Sequence, residues 1–104
     1  MLHYDITDDA EADIREIVRY TLDKWGIAQT DIYRTALKHT FELIGNHDIV
    51  LRKLSDTHPD LLYAKCQHHY IFYITEGVEK PTIIGVIHEA REIVAVLQTR
   101  YGKG

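Results

Sequence analysis

The chain is 104 residues long, 45% hydrophobic and 27% charged, the balance of one ordinary globular domain: too short for two cores and too apolar for global disorder. Its formal net charge of −4 speaks against a protein that binds nucleic acid chiefly through phosphates, because that affinity comes from Lys and Arg displacing counterions. It holds no apolar run of about 18 residues, and its start, MLHYDITDD, lacks a basic and then an apolar region. The expectation is a soluble, cytoplasmic protein with no membrane partner.

The charge is unevenly spread. Residues 1–48 hold five Lys/Arg against ten Asp/Glu, and residues 49–104 hold seven against six, so any basic surface is small and lies towards the C-terminus. Cys66 is the only cysteine, which excludes an intrachain disulfide and fits a small buried strand residue in a reducing compartment.

Residues 3–7 alternate polar side chains with Tyr4 and Ile6, the period of a short half-buried strand. A helix start follows in DITDDAEADI. Thr7 or Asp8 can accept from the first free N–H groups, Glu11 stands three after Asp8 in a capping-box arrangement, and the carboxylates suit the positive helix end. Ala10, Ile14, Ile17, Val18, Thr21, Leu22 and Trp25 form one apolar stripe, which Gly26 ends. Residues 27–44 predict a second helix with an inner face of Tyr33, Ala36, Leu37, Thr40, Phe41 and Ile44, stopped at Gly45 and Asn46. So short a break at Gly26 predicts an antiparallel helical hairpin.

Beyond residue 48 the period changes. Residues 49–54 are a possible short strand, residues 55–60 a turn with Pro59, and residues 61–67, 70–75 and 81–88 three strands. Short polar connections between the last three favour antiparallel pairing. Residues 89–101 predict a short closing helix with Ile93, Val94 and Leu97 inward. The fold class read from the pattern is α+β, one domain over residues 1–104: a short strand and a helical hairpin packed on an antiparallel sheet.

Seven histidines invite a metal reading, with His68, His69 and His88 the densest group. Neighbouring strand residues point to opposite faces, so His68 and His69 share a ligand set only if their turn twists them, and no HExxH or CxxC supports it. Neither metal nor cofactor is expected. His69, Tyr73, His88 and Arg91 can share one end of the sheet and would suit a metal-independent nuclease; the alternative is tyrosines in the core and His88 bonded to backbone. The cations Arg52, Lys53, Lys65, Arg91, Arg100 and Lys103 are scattered, as on a solvated surface.

Taken in order, ADIREIVRYTLDKWGIAQTDIYRTAL, HYIFYI and IIGVIHEARE resemble the ParE branch of the RelE/ParE superfamily of type II toxins, over nearly the whole chain. The family's first helix, A-x-x-D-[IL]-x-x-I-x-x-Y ending in W-G, is matched by Ala10, Asp13, Ile14, Ile17, Tyr20, Trp25 and Gly26. Tyr33 and Leu37 match its second helix, His69, Ile71, Phe72 and Tyr73 its H-x-I-F-Y strand, and Val86, Ile87 and His88 its last strand. Where the family commonly continues x-R-M-D, this chain has Glu89, Ala90, Arg91 and Glu92, and Leu62 stands at the place of an arginine usual in the preceding strand.

The resemblance implies two helices packed on a twisted antiparallel sheet. It implies a partner antitoxin, often ParD-like, whose C-terminal segment folds onto the toxin and whose ribbon-helix-helix part binds operator DNA. It also implies action by binding DNA gyrase rather than by catalysis. The expected target-binding residues are His88, Arg91, Glu92, Arg100 and Lys103; those expected to meet the antitoxin are Asp9, Asp13, Glu16, Tyr20, Asp23 and Tyr33. The alternatives are a ribosome-dependent mRNA endonuclease of RelE type using His69, Tyr73, His88 and Arg91, and an inactive relic that only binds its antitoxin.

Overall fold

The computed structural model describes residues 2–54, 56 and 59–100, without the side chains of residues 94 and 98. The expectations for the Val94 side chain, Tyr101 and Lys103, and residues 55, 57 and 58 of the turn at 55–60, therefore lie outside the described residues. Seven elements follow in chain order: β1 (Asp5–Ile6), α1 (Asp8–Trp25), α2 (Ile27–Gly45), β2 (Leu62–Cys66), β3 (His69–Ile74), β4 (Thr82–His88) and α3 (Ile93–Arg100).

Helix α1 starts where Thr7 Oγ1 accepts from Ala10 N at 3.2 Å. The cap is thus Thr7, not Asp8, and the expected Asp8–Glu11 box is not the one used; Asp8, Asp9 and Glu11 instead crowd the positive first turn. Gly26, at φ 90°, takes a conformation that side-chain-bearing residues rarely adopt. Its N–H closes α1 on Leu22 O, its carbonyl opens α2 on Thr30 N, and the hairpin turns on this one residue.

The strands order β1-β4-β3-β2. Pairs β2–β3 and β3–β4 are antiparallel, as expected, but β1 joins β4 in parallel, so the sheet is mixed. Alternation over residues 3–7 marks a strand without naming its neighbour. Residues 49–54 hold only one bridge, Lys53 to Leu62, flanked by bonds from Leu54 N to Leu61 O and from Tyr63 N to Arg52 O. Ile49 and Leu54 pack at the edges of the two cores, but Val50 and Leu51 between them are exposed, so the run has no continuous buried face to fix a longer register.

Two cores sandwich the sheet. Against α1 and α2 lie Tyr4, Ala10, Tyr33, Leu37, Phe41, Ile44, Ile71, Tyr73, Ile83 and Val86; against α3 on the other side lie Phe72, Ile84, Ile87 and Leu97. Cys66 is buried and free on the hairpin side. The inner face of α2 is the one its periodicity predicts. That of α1 is so only at first: Ala10 is fully buried and Ile14 and Ile17 pack on the core, but Leu22 is exposed and Trp25 is 63% exposed. The last turns of α1 extend beyond the sheet, so an amphipathic stripe there is left uncovered among the described residues.

A bulge in β4 sets the site. Tyr73 pairs with Ile83 but Phe72 with Gly85, which makes Ile84 the extra residue. It shifts the alternation by one, so that Val86 and then His88 face the hairpin.

Gly45, in the last turn of α2, lies under the approach to β1. A Cβ there would stand 2.9 Å from the backbone oxygen of His3 and 3.1 Å from the Tyr4 ring. Gly45→Ala is expected to destabilise the protein by about 1–3 kcal/mol, because the crowding atoms belong to a backbone that cannot swing aside. Urea denaturation of the variant beside the wild type measures it.

Candidate functional site

Helix α1 is held to the sheet at its first half and rises from it at its second. The wedge between is a groove of about 760 Å³. Asp13, Glu16, Ile17, Tyr20, Thr21 and Trp25 form its α1 wall, Gln29 and Tyr33 come from α2, and the β2–β3 turn, Val86, His88 and Arg91 form the other side.

The closed end of the wedge is an ion pair. Arg100 Nη1 and Nη2 meet the two Asp13 oxygens at 2.6 and 2.8 Å, and Asp13 Oδ2 also accepts from Val86 N at 2.9 Å. Both side chains are largely buried, 12% exposed for Asp13 and 18% for Arg100. Asp9 stands 4.0 Å from Arg100 Nε, and the hydrogen bonds to Asp13 hold the guanidinium pKa up. Gly85 leaves the room: a Cβ there would lie 2.9 Å from Arg100 Nη1.

At the open end three imidazoles meet. The Tyr33 hydroxyl and His69 Nδ1 share a hydrogen bond at 2.5 Å, and the same hydroxyl donates to Cys66 O at 3.4 Å. Burial pushes Tyr33 up beyond the usual phenol range. Burial of the His69 ring, and then His88 and His68 nearby, push His69 from its ordinary 6.5 down to about 4, so it is neutral near pH 7. The His88 ring stands edge-on to His69 with centroids 5.1 Å apart, and His68 stacks at 6.3 Å on its other side. His88 Nδ1 accepts from Ala90 N at 3.0 Å, which keeps residues 89–92 in a turn and delays α3 to residue 93.

The turn does twist the histidine pair. Gln67, at φ 56°, occupies the left-handed region in a two-residue hairpin, and His68 swings to the same end as His69. Even so, among the described residues no group of three His, Cys, Asp or Glu side chains is disposed to hold a metal ion. His68 turns outward instead: its Nδ1 meets Glu89 Oε2 at 2.9 Å, and Lys65 Nζ meets Oε1 at 2.9 Å. The hydrogen bonds from Lys65 and then His68 hold the Glu89 carboxyl down to about 2.

The expected site residues divide accordingly. His69, His88 and Arg91 gather at the groove, but Tyr73, the fourth of the nuclease set, is 1% exposed inside the core, its hydroxyl without a partner among the described residues. The structure thus does not bring the four together. Asp13, expected to be exposed, is sealed by Arg100, and Arg100, expected to be a free cation, is spent on Asp13; neither property is legible when 87 positions separate the partners. Glu16 and Tyr20 line the groove, Tyr33 is buried at its floor, Asp9 and Asp23 are exposed beside it, and Glu92 is exposed before α3. Sequence reasoning missed Trp25 as a wall, having counted it in the core; its place directly before the helix-ending Gly26 was the available signal. It also missed His68, Glu89 and Lys65 as one cluster.

This fold and groove are those of a small toxin-type module, and the comparisons agree. The model of the family described as the ParE toxin of type II toxin-antitoxin system, parDE, matches residues 4–93. A curated Toxin ParE of Escherichia coli is 32% identical over 100 residues, 96% of this chain and 97% of the relative. Toxin ParE1 of Mycobacterium tuberculosis is 23% identical over 90 residues, 86% of this chain and 92% of the relative. Among solved structures, one titled as the chromosomal ParDE TA system from P. aeruginosa superposes with a TM-score of 0.69 at 12% identity, over 85% of this chain and 96% of that one, a likeness of fold. The chain belongs to the ParE toxin family of type II toxin-antitoxin systems. An antitoxin is accordingly its class of partner. No helix among the described residues is long and apolar enough to cross a membrane.

Two outcomes follow from the site. Asp13→Asn, which leaves Arg100 facing a neutral amide, is expected to cost about 2–4 kcal/mol in chemical denaturation. The second concerns pH. An unfolded His69 titrates near 6.5 and the folded one near 4, so between these values the unfolded chain binds more protons. The stability that neutral His69 contributes is present above pH 6.5 and is lost as pH falls towards 4. In His69→Gln, whose amide can still hydrogen-bond Tyr33, the fall in unfolding free energy across this window should be shallower than in the wild type.

Proposed function

We propose that the protein arrests growth by binding DNA gyrase, with no bond-making chemistry of its own, and that a ParD-like ribbon-helix-helix antitoxin neutralises it. Operator DNA is reached only through that antitoxin. The observation that carries the choice is the burial of Tyr73: a phenol 1% exposed beneath the hairpin does not reach an RNA backbone. His69 adds to it, being neutral and engaged by Tyr33. The scarcity of free cations on a chain of net charge −4 likewise suits a protein target better than ribosomal RNA.

In this reading the gyrase-facing surface is the end of β4 with the turn after it, centred on His88, Arg91 and Glu92, and Lys103 beyond. Arg100 contributes by seating α3. The antitoxin takes the α1 side, where Glu16, Asp9 and Asp23 are exposed acids and Tyr20 an exposed ring.

A supercoiling assay with purified gyrase, run beside primer extension on translated mRNA, tests the proposal. Supercoiling should be lost in the presence of the toxin and restored by the antitoxin, with mRNA intact. Cleavage within codons and unimpaired supercoiling would overturn it in favour of the endonuclease; unimpeded growth on expression alone would favour the relic.

A further inference from the structure

The turn between β4 and α3 carries Arg91 and Glu92, and its backbone is tied down at the β4 end. Glu89 N donates to His68 O at 2.8 Å, Ala90 N to His88 Nδ1 at 3.0 Å and Arg91 N to His88 O at 3.0 Å. Side chains add a tie from outside the turn. Glu89 Oε1 accepts from Lys65 Nζ on β2 at 2.9 Å, and its Oε2 meets His68 Nδ1, in the β2–β3 turn, at 2.9 Å. The Tyr70 ring steadies Lys65 in turn, with its centroid 5.5 Å from Nζ. A single carboxylate thus clasps the end strand of the sheet, the hairpin turn beside it and the turn after β4.

The clasp does not act through stability. The side chains of Lys65, His68 and Glu89 are 49%, 75% and 34% exposed, and pairs so open to solvent hold little folding energy. They hold direction instead. His68 stacks on the His88 ring with 23° between the planes, and His69 stands edge-on to the same ring, so fixing His68 through Glu89 fixes the setting of His88. Arg91, bonded through its own N–H to His88 O, follows in the same turn.

We propose that Lys65, Glu89 and His68 form a positioning clasp that presents His88 and Arg91 to the target. The inference rests on the gyrase reading above and names the residues that shape the contact surface without being needed on it. A surface ordered before the encounter loses less side-chain and loop freedom on association, and binds more tightly for that reason. Glu89 acts through the groups it orients, not as a contact.

Inhibition of supercoiling by purified toxin is measured for Lys65→Met, Glu89→Gln, the double variant and Lys65→Arg. Each of the first two should raise the toxin concentration needed for half-inhibition about tenfold, with an unchanged urea midpoint. Because both open the same clasp, the double variant should be at most about threefold weaker than either alone, and Lys65→Arg, which still reaches Glu89, should stay within about threefold of the wild type. The carboxyl resonance of ¹³C-labelled Glu89 is a readout independent of gyrase. Hydrogen bonds from Lys65 and then His68 hold this carboxyl down to about 2, and in Lys65→Met it should titrate closer to its ordinary 4.5. Single variants that inhibit as well as the wild type overturn the inference. So does a double variant weakened by about a hundredfold, the product of the two single effects, which would make Lys65 and Glu89 separate contacts with the target. A wild-type Glu89 titrating near 4.5 also overturns it, by showing the clasp open in solution. Wild-type toxin that leaves supercoiling intact is a different result: it removes the gyrase reading, and the inference with it, whatever Glu89 does.

Discussion

The carboxylate of Asp13 does three things at once. It neutralises Arg100, satisfies the edge N–H of Val86, and thereby ties α1, β4 and α3 to a single point. A largely buried ion pair is weak evidence of net stability, since desolvation offsets much of the attraction, but it is strong evidence of specificity of position. Here the position matters because α3 is only eight residues long and rests on the sheet mainly through Leu97 and its neighbours. Its last residue is what reaches around β4 to the other face, over the gap that Gly85 leaves.

The groove is a consequence of that tie. With α1 pinned at Ala10 and Asp13, its remaining turns run past the end of the sheet, and Tyr20 and Trp25 overhang a floor made by Tyr33, His69, Val86 and His88. The bulge at Ile84 is the second requirement, for without the extra residue the alternation of β4 would present Ile87 to the hairpin and turn His88 away. The histidine cluster is therefore a product of register as much as of composition. Its internal bonds, between Tyr33 and His69 and from Ala90 N to His88, order the rings.

Much of the fold was legible in the chain. The helical hairpin, the three long strands and the inner face of α2 follow from periodicity and from Gly26, because each is decided by neighbours a few residues away. The parallel placement of β1 was not, since a two-residue strand carries no record of its partner. The stripe of α1 misled towards its end: periodicity reports which residues share a face, and only packing decides whether that face is covered. At the site, the gathering of His69, His88 and Arg91 was anticipated from strand ends, while the burial of Tyr73 and the engagement of Arg100 were not.

The amino-acid sequence by itself determined the element order, most of the core, the acidic first half and the family, because all of these are written in local pattern and in motif order. Tertiary structure alone decided which charges are free. Asp13 and Arg100 look like surface groups until 87 positions of chain are folded between them. Availability for binding is a property of what remains unpaired after packing. That remainder depends on contacts between residues far apart in the chain, which no local pattern encodes.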